Sequence, residues 1–297
     1  MIRIIDCGSQ LTQNIARRVR ELGVFTEIVP FYTFLDRIAT RDLEGLVISG
    51  GQFSVYDAGA PMYSPRVFDL GVPVLGICYG QQSIAHLLGG KVSPAVSREY
   101  GGTRVKLQRP SRLFSGVSQG ELKVWMSHGD VVEEIPEGFE SIAVSQNGYI
   151  AGIQMEGKRI YAVQFHPEVD HTHNGREILN NFLNICGAQR TWSPEREYDR
   201  VLRELSDKLA GKVGVGGISG GVDSTTASVI VNQAVGSNYH PIFVDNGLLR
   251  LNEAENVRRD LDAFDLNVRY VDSSERFLDK LKGVFDTESG KRGVEVV

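Results

Sequence analysis

Short, continuous runs of apolar residues that alternate with helical patterns constrain the fold of this chain most strongly. These runs occupy residues 2–5, 24–29, 46–49, 72–77 and 161–165. Runs rich in Val, Ile and Leu with helices between them are typical of parallel sheets that are covered on both faces. The first two-thirds of the chain therefore predicts an α/β fold, with an open, mostly parallel central sheet and helices on both sides.

The helical segments between these runs have recognisable ends. Ser9 is expected to cap a helix that carries Ile15, Val19 and Leu22 on one face, and Gly23 is expected to end it. Two more helices are predicted at residues 81–88 and 175–185. From Gly102 to Val163 the pattern changes to short alternating strands with turns at residues 136–138 and 146–148, which indicates antiparallel pairing.

A second alternation of strands and helices follows a linker at residues 186–194. Its predicted elements are a helix at 194–209, a strand at 213–218, a loop at 219–224, a helix at 225–234, a strand at 240–244, a helix at 253–264, a strand at 268–271 and a helix at 274–281. A chain of 297 residues has room for two domains. We predict one domain at residues 1–188 and a second, incomplete α/β domain at 189–297.

Charge and cysteine content exclude several classes of function. The formal net charge is −5, so a general nucleic-acid-binding face is not expected. No apolar stretch reaches the length of a membrane span, and the first residues resemble a strand and not a signal peptide. Cys7, Cys78 and Cys186 are too few and too scattered for disulfides or a metal site, which favours a reducing, cytoplasmic setting. His171 and His173 could chelate a metal, but no cysteine or carboxylate cluster joins them, and we predict no metal ligands.

Cys78 lies between a predicted strand and a predicted helix, with Gly76 and Gly80 on either side. This arrangement is typical of a nucleophile elbow, in which a tight turn lifts the reactive side chain above the sheet. The N-terminus of the next helix would favour the thiolate, which is the reactive form. Taken alone, the segment fits an inert, buried cysteine better than a nucleophile.

Two further strand ends strengthen the case for a nucleophile. His166 and Glu168 lie two residues apart at the end of a predicted strand, so their side chains are expected on one face. His166 would take the thiol proton and Glu168 would orient the ring. Gly50 and Gly51 end another strand, where backbone N–H groups could bind an oxyanion together with that of Tyr79. Each feature alone also fits a plain turn; their convergence favours a site.

These segments resemble a class I glutamine amidotransferase domain over residues 2 to about 187. The motifs at residues 6–10, 16–23, 125–130 and 163–169 resemble those of the glutamine-hydrolysing GMP synthetases in particular. The resemblance implies the following roles: Cys78 as nucleophile, His166 and Glu168 as its partners, Gly51 and Tyr79 as oxyanion donors, and Gln82 as a contact for glutamine. The family usually has proline after the glycine pair, whereas this chain has Gln52, so a looser oxyanion loop is expected.

A glycine loop opens the predicted helix after residue 218. Its residues are Ser219, Gly220, Gly221, Val222, Asp223, Ser224 and Thr225. Backbone N–H groups at such a helix N-terminus form an anion site, although a simple strand–helix turn has the same pattern. The loop lacks the Gly-Lys-Ser/Thr ending of a P-loop, so a lysine-clamped γ-phosphate is not expected.

This loop resembles that of the N-type ATP pyrophosphatases, and residues 243–253 again resemble GMP synthetases. The resemblance implies that ATP, with Mg²⁺ and no prosthetic group, adenylylates xanthosine monophosphate, and that ammonia from glutamine then displaces AMP. In the family, the second domain is longer and a dimerisation domain follows, so homodimer formation and most xanthosine-phosphate contacts are expected to be missing here. Residues 192–297 are expected to be weakly stable alone.

Three hypotheses remain open at this stage. The first is an enzyme of GMP synthetase descent in which the glutaminase half is intact. The second is a free-standing glutaminase subunit that docks on a separate synthetase chain. The third is a non-catalytic nucleotide-binding module, against which the presence of Cys78, His166 and Glu168 argues.

Overall fold

A computed structural model describes residues 1–117 and 120–282. The chain divides into two compact units, Met1–Ser193 (unit 1) and Pro194–Val297 (unit 2). Residues 188–193, at the end of unit 1, have no regular secondary structure. Of the predicted second domain, residues 283–297 lie outside the described residues.

Unit 1 is built on a nine-stranded mixed sheet. Its strands are β1 (Ile2–Asp6), β2 (Thr26–Pro30), β3 (Gly45–Ile48), β4 (Val74–Ile77), β5 (Lys91–Leu107), β6 (Glu121–Glu134), β7 (Glu140–Ser145), β8 (Ile150–Met155) and β9 (Ile160–Val163). Their order is β2-β1-β3-β4-β9-β8-β7-β5-β6. The first five strands in this order, which end with β9, are parallel, and the remaining pairings are antiparallel, as predicted. The antiparallel part begins at Lys91, earlier than the predicted Gly102.

Apolar residues in the parallel strands point alternately to two cores, one on each face of the sheet. In β1, for example, Ile4 contributes to one core and Ile5 to the other. The helices of unit 1 are α1 (Thr12–Glu21), α2 (Leu35–Ile38), α3 (Tyr79–Leu87) and α4 (Gly175–Cys186). α1 and α4 pack on one face, and α2 and α3 pack on the other. The predicted α/β sheet with helices on both sides is thus confirmed.

One helix end differs from its prediction. α1 begins at Thr12 after Leu11, and no side chain caps it. Ser9 instead accepts a hydrogen bond from the Leu11 amide at 3.0 Å, so it stabilises the turn that precedes the helix. At the other end, Gly23 adopts a φ of +85°, which a glycine tolerates and which stops the helix as expected.

Unit 2 has a smaller sheet of three parallel strands. These are β10 (Gly214–Gly217), β11 (Tyr239–Asp245) and β12 (Arg269–Asp272), in that order. Its helices are α5 (Pro194–Leu209), α6 (Val222–Val235), α7 (Glu253–Leu261) and α8 (Ser274–Leu281). The buried apolar cluster among its described residues consists of Ile218, Phe243 and Leu261. α6 begins before the predicted Thr225, because Gly221 serves as its N-cap.

Candidate active site

The carboxyl ends of the parallel strands in unit 1 form one edge of the sheet, which we call the carboxyl edge. Cys78 follows β4, Gly50 follows β3, and His166 lies shortly after β9. A methyl group placed on Gly50 would lie 3.3 Å from Cε1 of His166 and 3.7 Å from Cβ of Cys78. The structure therefore brings the three predicted strand ends together.

Cys78 occupies a sharp turn between β4 and α3. Its φ of +54° and ψ of −106° are unusual for a residue with a side chain, and such strain is concentrated at functional sites. The turn is tight enough that a methyl group on Gly80 would lie 2.4 Å from the carbonyl oxygen of Ile48. A methyl group on Gly76 would lie 2.7 Å from the Gly80 carbonyl oxygen. Both glycines are therefore required by close backbone approach, as the elbow pattern predicts.

The sulfur of Cys78 has polar neighbours although its residue is only 3% exposed. The Ser127 carbonyl oxygen lies 3.6 Å from Sγ, and Nε2 of Gln164 lies 3.7 Å from it. No side chain caps the N-terminus of α3, so the partial positive charge of that helix end faces the turn. This environment differs from the apolar surroundings of an inert cysteine.

His166 and Glu168 form a buried pair. Nδ1 of His166 lies 2.8 Å from Oε1 of Glu168, and the residues are 3% and 1% exposed. Burial alone would lower the pKa of His166. The hydrogen bond to Cys78 and the negative charge of its sulfur, and after them the same two interactions with Glu168, outweigh the effect of burial. The pKa of His166 is thereby raised from 6.5 to about 10. A thiol, an imidazole and a carboxylate in this order can pass a proton along one line.

The prediction that these two residues lie at a strand end, with side chains on one face, is wrong in its local detail. β9 ends at Val163, and His166 lies beyond it where the chain turns. The His166 amide donates to the Trp125 carbonyl oxygen of β6 at 3.0 Å, which replaces the strand pairing that has ended. The turn, and not the alternation of a strand, brings Glu168 to the ring.

Two residues that the sequence analysis did not select hold this turn in place. The hydroxyl of Thr172 donates to the His166 carbonyl oxygen at 2.6 Å and accepts from the Trp125 amide at 3.0 Å. Nε of Arg18 donates to the Glu168 carbonyl oxygen at 3.2 Å, and the same guanidinium pairs with Asp170. Arg18 is 150 residues from Glu168, and Thr172 is 47 residues from Trp125, so no local pattern could have identified these contacts.

The predicted oxyanion donors, Gly51 and Tyr79, lie side by side. A methyl group on Gly51 would lie 3.3 Å from Cγ of Tyr79 and 2.7 Å from the Cys7 carbonyl oxygen. Tyr79 is the first residue of α3, where a backbone N–H has no partner within the helix. Both amides are therefore near the Cys78 turn.

Ser49 fixes the orientation of the peptide between Gly50 and Gly51, which sequence reasoning missed. Its buried hydroxyl donates to the Gly50 carbonyl oxygen at 2.9 Å and accepts from the Cys7 amide at 2.9 Å. Because the C=O and N–H groups of a trans peptide point in opposite directions, this bond directs the Gly51 N–H away from Ser49. A serine directly before a glycine pair was the available signal.

A cavity of about 490 Å³ adjoins the sulfur, within the range usual for small-ligand sites. Cys78, His166, Gly51 and Gln82 line it, as does Gln52, the residue that departs from the family pattern. Nε2 of Gln82 donates to the Asp130 carbonyl oxygen at 2.8 Å and to Oε1 of Gln164 at 3.3 Å. Gln82 is thus a fixed, buried part of the wall.

The predicted phosphate loop lies in unit 2, between β10 and α6. The Ser219 and Ser224 hydroxyls are 3.0 Å apart, and Oγ of Ser224 donates to the Gly221 carbonyl oxygen at 3.1 Å. Val222, Asp223 and Ser224 form the first turn of α6, and no side chain caps it. Gly220 has a φ of +82°. The loop therefore presents free helix-end amides, the property that anion binding requires.

His171, one of the two histidines considered as metal ligands, packs against an aromatic ring. The ring of His171 lies against Trp125, with centroids 4.7 Å apart. Among residues 1–117 and 120–282, no group of three or more His, Cys, Asp or Glu side chains is arranged to hold a metal ion. In the same part of the chain, no helix has both the length and the apolar character needed to cross a bilayer.

Comparison with known families agrees with this geometry. The model of the class-I glutamine amidotransferases matches residues 3–186, which include the whole carboxyl edge. The chain belongs to the class-I glutamine amidotransferase family. The resemblance on which the sequence analysis relied is thus confirmed.

Three relatives place the chain more finely within that family. A glutamine-hydrolyzing GMP synthase of Caldicellulosiruptor saccharolyticus is 47% identical over 98% of this chain, and one of Aquifex aeolicus is 45% identical over 98%. The chain spans 57% of the length of each. A solved structure from Thermoplasma acidophilum, assigned as one of the subunits of a GMP synthase, aligns with a TM-score of 0.57 and 35% identity. It covers 67% of this chain and 96% of its own.

Proposed function

We propose that unit 1 hydrolyses glutamine to glutamate and ammonia at Cys78, His166 and Glu168. The observation that carries the proposal is the buried His166–Glu168 pair directly beside a cysteine in a strained elbow. The raised pKa of His166 means that its ring holds a proton firmly beside Cys78, so it can take the thiol proton and later pass it to the leaving nitrogen.

The reaction follows from the positions of these groups. The Cys78 thiolate attacks the amide carbonyl carbon of the glutamine side chain. Gly51 and Tyr79 amides stabilise the oxyanion that forms. His166 gives its proton to the amide nitrogen, the C–N bond breaks and ammonia leaves, which produces a thioester. His166 then removes a proton from water, which attacks the thioester; glutamate leaves and the thiolate returns.

The test is a glutaminase assay on the purified chain, with glutamate and ammonia measured separately. Cys78→Ala is expected to abolish turnover, whereas the matched variant Cys186→Ala, at the end of α4, is expected to retain it. Undiminished hydrolysis in Cys78→Ala would falsify the proposed site. Adding ATP and xanthosine monophosphate to the assay reports any coupling between the two units.

We further propose that the ammonia serves GMP synthesis in the complete protein. Similarity to glutamine-hydrolyzing GMP synthases extends over 98% of the chain and thus includes unit 2. The loop from Ser219 to Thr225 would hold the phosphates of ATP that leave as pyrophosphate when xanthosine monophosphate is adenylylated. Mg²⁺ would accompany the nucleotide, bound through phosphate oxygens, and the exposed carboxylate of Asp223 would assist the ion or position the loop.

A free-standing glutaminase subunit that serves a separate synthetase chain is the second candidate. It is favoured by the Thermoplasma acidophilum protein, nearly all of which aligns with about two-thirds of this chain. An amination assay separates the two candidates. If this chain makes GMP from xanthosine monophosphate, ATP and added ammonia, it carries its own synthetase site. Glutamine turnover without that product supports the subunit role, and ATP binding without either activity supports a non-catalytic module.

A further inference from the structure

A second buried histidine–carboxylate pair lies at the wall of the glutamine cavity, and the mechanism above does not use it. Nε2 of His128 lies 3.0 Å from Oε2 of Glu99, and both side chains are 1% exposed. Nδ2 of Asn147 donates to the other carboxylate oxygen of Glu99 at 2.8 Å. Burying two titratable groups is costly unless each is fully hydrogen-bonded, so this pair requires an explanation.

Both ring nitrogens of His128 have a hydrogen-bond partner. Nδ1 lies 3.0 Å from the Asp130 carbonyl oxygen, and Nε2 faces the Glu99 carboxylate. Both neighbours are acceptors, so two hydrogen bonds form only when both ring nitrogens carry a proton. Burial alone would raise the pKa of Glu99, but the hydrogen bond from His128, together with those from its other donors, holds it below its usual value. Glu99 is thus held as a carboxylate that accepts from the ring.

Hydrogen bonds connect this pair to the reacting sulfur. The Asp130 carbonyl oxygen that accepts from His128 also accepts from Nε2 of Gln82 at 2.8 Å. Gln82 donates in turn to Gln164, whose Nε2 lies 3.7 Å from Sγ of Cys78. One buried network thus extends from Glu99 to the nucleophile.

The same pair fixes a segment of β6 that forms part of the cavity. Residues 127–130 all line it. Glu99 lies opposite His128 in the β5–β6 ladder, directly after an irregularity between Pro94 and Glu99. Such irregularities redirect side chains and are frequent beside active sites. The side-chain bond between Glu99 and His128 therefore lies where regular pairing of β5 and β6 resumes.

We infer that Glu99 and His128 are positioning residues that hold the glutamine-binding wall formed by residues 127–130 and Gln82. This inference rests on the proposed glutaminase function and adds to it a determinant of glutamine affinity. The pair acts through the Asp130 carbonyl oxygen and does not touch the reacting atoms. Loss of the pair frees the wall and the Gln82 amide, which weakens glutamine binding more than it slows the chemical step.

Glu99→Gln separates hydrogen bonding from charge. With a neutral His128 that keeps its Nδ1 proton, the new amide can donate to Nε2 of the ring, while its carbonyl oxygen accepts from Asn147. Every hydrogen bond of the network is then retained although the negative charge of Glu99 is gone. Glu99→Ala, in contrast, leaves Asn147 and the His128 ring without their shared partner.

Glutamine binding in a Cys78→Ala background, measured by isothermal titration calorimetry, tests the inference without relying on turnover. We expect Glu99→Ala and His128→Ala to weaken binding by about 10-fold, the usual cost of an abandoned buried partner. Glu99→Gln should stay within about 3-fold. Glu121→Gln, which removes an exposed carboxylate at the start of β6, should have no effect. In the chain that retains Cys78, KM should rise for Glu99→Ala while kcat is kept.

Each other outcome overturns the inference in a distinguishable way. Unchanged glutamine affinity in Glu99→Ala, or an equal loss in Glu99→Gln, removes the positioning role. A lower kcat at unchanged KM indicates a smaller folded fraction and thus a merely structural pair. If Glu99→Ala does not fold, Glu99→Asp, which is one methylene too short, must show the same loss to a smaller degree. Failure of the Cys78→Ala chain itself to bind glutamine removes the proposed function as well.

Discussion

The cysteine site of unit 1 and the predicted phosphate loop of unit 2 both follow parallel strands, yet they are built in opposite ways. Cys78, His166 and Glu168 are each at most 3% exposed and lie between two extensive cores. In the loop, Ser219, Gly220 and Asp223 are exposed, and the described core of unit 2 is small.

The difference reflects what each kind of chemistry requires. A nucleophile and its base act through two or three atoms, whose positions and pKa values depend on packing and on exclusion of water. Anion binding at a helix N-terminus uses backbone amides, whose directions the helix itself sets. The site in unit 1 therefore depends on distant residues such as Arg18 and Trp125, whereas the loop of unit 2 depends mainly on its own glycines.

Replacing the base tests this dependence with the largest expected effect. His166→Gln should lower kcat of glutamine hydrolysis on the order of 10³-fold, because the leaving ammonia loses its proton donor. The control His171→Gln removes a ring that packs on Trp125 outside the triad and should retain most activity. Steady-state assays measure both variants, and comparable losses in the two would contradict a site that depends on single atoms.

Ser49→Ala should have the next largest effect. Without the hydroxyl that holds the Gly50 carbonyl oxygen, the Gly51 amide loses its fixed direction, and kcat should fall by about 10-fold to 100-fold with little change in KM. Ser83→Ala is the matched control. Ser83 is buried as Ser49 is, but its hydroxyl is bonded to that of Tyr63 and does not orient the oxyanion loop. Equal kinetic defects in the two serine variants would show that lost stability, and not orientation, is responsible.

The nucleophile elbow was predictable because its cause is local. Gly76, Cys78 and Gly80 lie within five residues, and one of the close approaches, between Gly76 and Gly80, occurs inside the turn itself. The parallel order of the first strands was likewise predictable, since continuous apolar runs with helices between them permit few arrangements. The same reasoning predicted α5 and α8 at their observed bounds, Pro194–Leu209 and Ser274–Leu281.

The supporting contacts were not predictable, because they join residues that are distant in sequence. Arg18 reaches the Glu168 carbonyl oxygen, and Glu99 reaches His128 only after an irregular stretch of β5. Sequence periodicity also misplaced His166 on a strand, since it cannot show where pairing with a neighbour stops. Assignment of roles to Gly51 and Gln82 came from family resemblance, and the structure adds their positions beside the sulfur.

A stability measurement on unit 2 tests the other side of the comparison. A methyl group on Gly220, where φ is +82°, would lie 2.5 Å from Cγ2 of Val257, so Gly220→Ala should destabilise unit 2 by about 1–3 kcal/mol. Gly217→Ala is the control, because nothing lies within 4 Å of the added methyl group. Urea unfolding, monitored by far-UV circular dichroism, should show this destabilisation as a shift of the first transition, that of unit 2, to lower urea concentration.

Tryptophan fluorescence then assigns the transitions. Both tryptophans of the chain, Trp125 and Trp192, lie in unit 1, so fluorescence follows that unit alone. Gly220→Ala should leave the fluorescence transition unchanged. If the fluorescence transition moves with the circular dichroism transition, the two units unfold together and the expected weak stability of unit 2 is wrong.

The dependence of stability on pH should belong to unit 1. The folded pKa of His166, about 10, exceeds its ordinary value of 6.5, so protonation of the ring stabilises the folded state. This contribution is fully present below about pH 6.5 and is lost as the pH rises through about 10. The free energy of unfolding, measured by fluorescence in urea, should therefore decline between pH 7 and pH 10 more steeply in the unsubstituted chain than in His166→Gln. Parallel declines would show that Cys78 and Glu168 do not hold the His166 ring in its protonated form.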